Sequence, residues 1–267
     1  MPHATLDGFE MYYELHGASG EPLVLVHGYT GDISDWEHQI SAFAASHRVL
    51  VMDHRGHGRS GAPRDRASYT IERMAGDVEA LAAHAGFERY HLVGHSLGGM
   101  VAQEIALRSA QRLLTLTLED TMHDFAIGRS EPVRAYFAAR VRLAEEQGMQ
   151  AIAALPAPPR PRHHPRERFA HERARLARMP VDGFAGAWEA LCRWPGTAQR
   201  AHAIRTPTLV IHGELDAVVA AGSRWLAEAI PGARLEVVPE AGHSPQLERP
   251  EVFNAALLRH VTEPAGR

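Results

Sequence analysis

Gly94-His95-Ser96-Leu97-Gly98-Gly99 follows the apolar run Tyr90-His91-Leu92-Val93 and opens the helical pattern Met100-Val101-Ala102-Gln103-Glu104-Ile105-Ala106-Leu107. A serine with glycines two residues to either side, between a strand and a helix, is the nucleophile-elbow pattern. The spacing has a physical cause. A sharp strand-to-helix turn strains the serine backbone, and glycine at the flanking positions lets neighbouring chain pass closely. The same turn lifts the hydroxyl above a sheet and points a helix N-terminus at it, where backbone amides can hold a developing oxyanion. The competing reading is an ordinary glycine-rich turn between strand and helix.

Working outward, Leu23-Val24-Leu25-Val26 reads as a buried strand leading into His27-Gly28-Tyr29-Thr30-Gly31. Arg48-Val49-Leu50-Val51-Met52 runs into Asp53-His54-Arg55-Gly56-His57-Gly58-Arg59-Ser60. Leu113-Leu114-Thr115-Leu116-Thr117-Leu118 is the strand after the elbow helix. Thr208-Leu209-Val210-Ile211 precedes His212-Gly213-Glu214-Leu215-Asp216, and Leu235-Glu236-Val237-Val238 precedes Ala241-Gly242-His243-Ser244-Pro245. Residues 4–16 read as a hairpin turning at Asp7-Gly8. Ser34-Asp35-Trp36-Glu37 has capping-box spacing and predicts the start of the first helix. Ile71, Met74, Val78 and Leu81 predict a helix from about Thr70 to Ala85 with one apolar face. Strands alternating with helices imply parallel crossover units. The alternation stops after Asp120: residues 122–203 hold helical stretches, a Pro/Arg/His-rich piece and no confident strand. They read as a helical cap (122–203) inserted into a core formed by residues 1–121 and 204–267.

In this order, strand-then-His-Gly, D-x-R-G-x-G-x-S, G-x-S-x-G-G, G-x-x-D and Gly-His, the chain resembles the α/β-hydrolase superfamily in its esterase, enol-lactonase and C–C hydrolase branch. The likeness covers nearly the whole chain except about residues 122–203. It implies an α/β fold: a mostly parallel eight-stranded sheet flanked by helices, with an inserted helical cap. It also implies a Ser, acid, His order along the chain. Ser96 is then the nucleophile and His243, behind Gly242 near the C-terminus, the base. Asp216 is the acid, with Glu119 and Asp120 as rivals at the end of the strand before the cap; Glu214 reads as a surface cap. The backbone amides of Tyr29 and Leu97 form the oxyanion hole. The Tyr29 side chain either enters the pocket or packs. His27 reads as a loop-holding residue and His95 as a packed neighbour of the nucleophile.

Other readings narrow the class. Asp53 to Ser60 mixes Asp and His, but Gly56 and Gly58 point to a tight turn held by Arg55 and Asp53 rather than a metal site. Spacings such as H-E-x-x-H are absent, and His163-His164 reads as solvent-facing. Pro156 to Arg178 contains seven arginines and two glutamates. That is either a solvated basic face or, through Arg160, Arg162, Arg166 and Arg168, a surface steering carboxylate-bearing substrates. The chain has no lysine, which excludes Schiff-base catalysis, pyridoxal-phosphate anchoring and a lysine-dependent P-loop. Cys192 is the single cysteine, so an internal disulfide is excluded.

At 267 residues the chain suits one large α/β domain. A net charge of −4 gives no footprint for nucleic acid or an anionic membrane. Met1 to Thr5 lacks a signal-peptide pattern, and no apolar run approaches the roughly 18 residues needed to span a bilayer. A cytoplasmic protein is expected, and a homodimer is compatible with the sequence. The leading expectation is a serine hydrolase of the carboxylesterase type, cleaving a small carboxylic ester or thioester through an acyl-enzyme without a cofactor. The alternatives are an enol-lactonase or C–C bond hydrolase on a carboxylate-bearing substrate, and, in another class, a non-catalytic binding protein of the same fold. Ser in place of Asp as nucleophile argues against haloalkane dehalogenases and epoxide hydrolases.

Overall fold

The apolar runs become the centre of one sheet because each is shared between two faces. In the computed structural model, which describes residues 2–6, 8–156, 161–162 and 164–263, Val24, Val26, Leu50, Met52 and Leu92 enter one apolar cluster. Leu23, Leu25, Val49, Val51 and Val93 enter another on the opposite face. Burial on both sides is why these strands read as unbroken apolar stretches rather than as alternating ones.

The elements follow in the order β1 (His3–Leu6), β2 (Phe9–His16), β3 (Pro22–Val26), α1 (Glu37–Phe43), β4 (Arg48–Met52), α2 (Ile71–His84), β5 (Tyr90–His95) and α3 (Leu97–Arg108). Then come β6 (Leu113–Glu119), α4 (Glu131–Gln147), α5 (Met149–Ala154), α6 (Arg166–Arg178) and α7 (Val181–Arg193). The chain closes with β7 (Thr208–Gly213), α8 (Ala220–Ala229), β8 (Arg234–Val238), α9 (Pro245–Glu248) and α10 (Pro250–Thr262). The eight-stranded sheet has the order β1-β2-β4-β3-β5-β6-β7-β8. β2 runs antiparallel to both β1 and β4, and the pairings from β4 through β8 are parallel. Strand order reverses between β3 and β5, so the loops leaving their carboxyl ends part around a crevice, the usual ligand position in open α/β sheets.

α2 forms as its spacing predicts. Thr70 caps it by accepting from Arg73 N–H at 3.0 Å, and Ile71, Met74, Val78 and Leu81 are fully buried. Each such side chain contributes about 1.5–3 kcal/mol of burial. The first helix starts differently from the capping-box expectation. Asp32, not Ser34, is the cap: its carboxylate accepts Ser34 N–H at 2.9 Å and opens a 3-10 turn over Ile33–Trp36, and the α-helix begins only at Glu37. The hairpin of β1 and β2 is present with Gly8 at φ 81°, while Asp7 lies outside the described residues.

Between β6 and β7 the described residues contain helices and no strand. Ala144, Met149, Ile152, Met179 and Phe184 make a small apolar cluster of their own. α7 also joins the main core through Trp188 and Leu191. This helical layer lies against the loop after β3: Tyr29 Oη donates to Phe184 O at 2.9 Å, and Arg168 and Arg175 reach Asp35. No helix among the described residues is long and apolar enough to cross a membrane.

Candidate active site

Ser96 stands at φ 53°, ψ −113°, between β5 and α3. A non-glycine residue held there carries about 1–3 kcal/mol of strain. The surroundings hold it in place. Ser96 N–H donates to Glu119 O at 2.9 Å, and Ser96 O accepts from Gly99 N–H at 3.0 Å and Thr121 Oγ1 at 2.7 Å. A Cβ on Gly94 would sit 2.2 Å from Gly98 O, and one on Gly98 would sit 2.2 Å from Val26 O. Both contacts are with backbone that cannot move aside, which accounts for the two glycines of the motif.

The loop after β8 brings His243 over this turn. Its Nε2 lies 3.1 Å from Ser96 Oγ, and its Nδ1–H donates to Asp216 Oδ2. Asp216 Oδ1 accepts the amides of Val218 at 3.1 Å and Val219 at 3.4 Å. Burial alone would raise the Asp216 carboxyl, but the His243 hydrogen bond and charge, with the two amides, hold it below the usual carboxylate range. The carboxylate is therefore ionised where an imidazolium would form.

The rival acids are placed otherwise. Glu119 is fully buried and accepts Gln246 N–H at 3.2 Å. Burial pushes its carboxyl well up, with the charges of Asp35 and Glu248 adding to this. Asp120 is closer: Asp120, Asp216 and His243 offer ligand-type atoms within 4.8 Å of one another. It takes Gly213 N–H at 3.2 Å, and burial, then Glu119 and Asp216, push its carboxyl well up. A neutral acid thus lies beside the ionised one. Glu214 accepts Glu240 N–H at 3.0 Å and ties the two loops together.

Neither the Tyr29 amide nor the Leu97 amide meets an acceptor among the described residues. The Tyr29 ring packs, stacked 5.7 Å from Phe184, and also lines the cavity beside His243. His27 donates from Nδ1 to Gly28 O at 2.8 Å and accepts His54 N–H at Nε2, 3.0 Å. Asp53 holds its turn by accepting the amides of Ile33 and Arg59. Arg55, expected to share that turn, instead forms a two-pronged pair with Asp77 on α2 at 2.6 and 2.7 Å.

Sequence reasoning missed three supports of the His243 loop. His95 Nε2–H donates to His243 O at 2.6 Å, so it does more than pack. Burial, with the His243 charge, pushes its pKa down to about 3, which keeps the ring neutral. Glu248 accepts the Gly242 amide, and His164, fully buried rather than solvent-facing, lies 3.1 Å from both Glu248 and Glu172. His95 and His164 reach the His243 loop and Glu248 from 148 and 84 residues away, so no local pattern reveals these contacts. His163 and Arg160 lie outside the described residues.

The basic stretch fits neither sequence expectation as a whole. Arg162 and Arg166 are exposed, but Arg168 is buried, pairing with Asp35 at 2.9 Å and Glu37 at 3.2 Å. Arg175 pairs with Asp32 at 3.2 Å and Asp35 at 2.6 Å. These two arginines bolt α6 to the loop after β3 and have no freedom to steer a ligand. Two cavities meet at His243: one of about 130 Å³ that contains Ser96, and one of about 250 Å³ beneath α4 and α6.

A strained serine after a parallel strand, joined by hydrogen bonds to a histidine and an aspartate from later strand ends, defines the class. The chain belongs to the α/β-hydrolase fold family, whose model matches residues 21–250, and it is a hydrolase. Among relatives, a putative carbamate hydrolase RutD of Azorhizobium caulinodans is 35% identical, over 97% of this chain and 97% of its own. The crystal structure of the enol-lactonase from Burkholderia xenovorans superposes with a TM-score of 0.87 at 31% identity, covering 98% of this chain and 100% of that one. A thermophilic esterase from Thermogutta terrifontis, with malate bound, gives 0.82 at 32% identity, covering 95% and 94%.

Proposed function

We propose that this hydrolase cleaves a small carboxylic ester or thioester through an acyl-enzyme, with Ser96, His243 and Asp216 as catalytic triad. The observation that carries the proposal is the hydrogen-bonded chain Ser96–His243–Asp216, beside which the Tyr29 and Leu97 amides meet no acceptor among the described residues. Ser96 Oγ attacks the carbonyl carbon while its proton passes to His243 Nε2. The oxyanion takes hydrogen bonds from the Tyr29 and Leu97 amides. Collapse breaks the bond to the leaving oxygen or sulfur, which receives the proton from His243. Water, deprotonated by His243, then attacks the acyl carbon; the acid leaves and the proton returns to Ser96. Residues 122–203 act as a cap over a core of residues 1–121 and 204–267, with α4 and α6 roofing the larger cavity.

A lactone is the second reading, favoured by the relative named an enol-lactonase, which aligns along its entire length. The same steps then open a ring, and the leaving oxygen stays on the product. The test is a rapid-mixing assay with p-nitrophenyl acetate, followed by intact-mass measurement of the quenched protein. Release of p-nitrophenol with a one-acetyl mass increase on Ser96 is expected. A non-catalytic binding protein would give neither, and that result would overturn the proposal. Parallel turnover of short esters, thioesters, lactones and vinylogous diketones ranks the substrate classes.

A further inference from the structure

We infer that the larger cavity beside His243 is an anion-binding subsite that accepts a carboxylate carried on the substrate, remote from the bond cleaved. The inference rests on the proposed hydrolytic reading and concerns which molecules that site prefers.

The two cavities differ in chemistry. The chamber containing Ser96 is walled by Met100, Met122, Phe125, Leu191 and Val219, so it suits a short apolar arm. The cavity on the other side of His243 is walled by three arginines (140, 173 and 175) against two carboxylates, Asp35 and Glu172. The partners of these charges decide what remains for a ligand. Asp35 is held by Arg168 and Arg175, and Arg175 also holds Asp32. Glu172 pairs with His164. Arg140 and Arg173 are left: among the described residues neither lies within ion-pair distance of a carboxylate. Arg140, half-buried on α4, is anchored by Tyr136 one turn earlier, itself exposed. Its Nη1 donates to Tyr136 Oη at 3.0 Å, and its guanidinium lies 5.3 Å over the Tyr136 ring. The remaining N–H groups of the fork have no protein acceptor among the described residues.

A guanidinium held at a cavity wall by one hydrogen bond, with its other donors free, is matched by a planar carboxylate, which it can bind through two parallel hydrogen bonds. Arg140 offers one such fork, and the exposed Arg173 adds a second positive charge at the same wall. The substrate class is therefore an ester, thioester or lactone with a short apolar arm on one side of the reacting carbonyl and a carboxylate on the other.

The experiment compares 4-nitrophenyl hydrogen glutarate with its neutral methyl ester, 4-nitrophenyl methyl glutarate, as substrates of the wild type, Arg140→Gln, Arg140→Lys and Arg173→Gln. Wild type is expected to favour the anionic ester in kcat/KM, and this preference should weaken between 0.05 and 0.5 M salt as the Debye length shortens. Arg140→Gln should lower the anionic-to-neutral ratio about 10- to 100-fold, chiefly through KM, the range expected for a lost charge-assisted hydrogen bond. Arg140→Lys should recover part of it, and Arg173→Gln should give a smaller drop. If wild type turns over both esters without preference, or Arg140→Gln slows both equally, the subsite is overturned while the hydrolytic reading stands. If wild type releases no p-nitrophenol from either ester, it is the underlying reading that fails. Should Arg140→Gln not fold, the wild-type preference and its salt dependence decide alone.

Discussion

Replacing Asp216 by Asn should silence the proposed triad while leaving its shape intact, because the side chain keeps its size while its charge and hydrogen-bond polarity change. Asp216 Oδ1 faces the amides of Val218 and Val219, and Oδ2 faces His243 Nδ1. In Asp216→Asn the carboxamide oxygen stays on those two amides, since the flipped amide would set donor against donor at a cost of about 1–3 kcal/mol per unsatisfied group. The NH₂ group then faces Nδ1, which must accept, so the imidazole proton moves to Nε2. There it meets the Ser96 hydroxyl 3.1 Å away, and the base has lost its lone pair. Loss of the correct tautomer in a Ser-His-Asp triad lowers kcat by about 10⁴, or about 5 kcal/mol of barrier. Asp120→Asn is the matched control. That carboxyl is held neutral by burial and its acidic neighbours, so an amide changes little and less than a tenfold effect is expected. The assay is steady-state and burst release of p-nitrophenol from a short ester, with thermal unfolding of both variants as a check on folding. An Asp120→Asn loss as large as that of Asp216→Asn, or more than a tenth of wild-type activity in Asp216→Asn, would refute this reasoning.

Ser96→Ala removes the attacking oxygen with little change in volume and should lower kcat by about 10⁶ while thermal unfolding stays within a few degrees. Arg55→Met takes away the guanidinium that balances buried Asp77, and should destabilise by about 3–5 kcal/mol, read as a lower urea midpoint; an unchanged midpoint would show the pair is dispensable. Acid should also destabilise the fold. Burial pushes His54 and His95 down to about 3 and His57 and His260 down to about 4, whereas the unfolded chain titrates near 6.5. As pH falls from about 6.5 towards 4, the unfolded state takes up protons that the folded state refuses, so stability present above 6.5 is lost. Asp53, raised by burial to about 6, acts in the opposite sense over about 4–6, as do Glu119 and Asp120, and offsets part of the loss. A urea midpoint at pH 5 equal to or above that at pH 7 would contradict this balance.

The central strands β3, β4, β5 and β7 were legible because they obey a rule that needs no partner information: apolar runs leading into glycine-containing turns. The serine turn was legible for the same reason, since Gly94 and Gly98 answer to backbone approaches that no other residue tolerates. What the sequence hid was charge pairing across distance. Arg168 reaches Asp35 and Arg175 reaches Asp32, more than a hundred residues away, so a stretch that reads as a basic face is partly internal. Its neighbours in the chain place Arg55 in its own turn, yet it joins Asp77 on the next helix. Spacing alone likewise points to Ser34 as a helix cap, where Asp32 offers the better acceptor two residues earlier.

The choice between acids shows why strand ends matter more than motif spelling. β6 and β7 run in register, with Glu119 opposite Ile211, and β7 continues through His212 and Gly213. Asp120 N–H donates to Ile211 O at 3.0 Å, so Asp120 turns in at the rim of the sheet, beside the loop that carries Asp216. Both acids therefore lie near His243, but Asp216 is the one that accepts its Nδ1–H, and the loops reinforce that pairing. Glu214 N–H donates to Val238 O at 2.9 Å and Leu215 N–H to Ala241 O at 2.8 Å, which fastens the Asp216 loop directly to the chain that carries His243. Under the proposed mechanism the acid and base then move as one piece when His243 swings between Ser96 and the leaving group. An acid on β6 would have to follow that motion across a strand boundary. In that mechanism, coupling the orienting carboxylate to the base through shared backbone hydrogen bonds would keep the Nδ1 proton on the Asp216 side throughout the cycle, leaving Asp120, buried and neutral, free of that task.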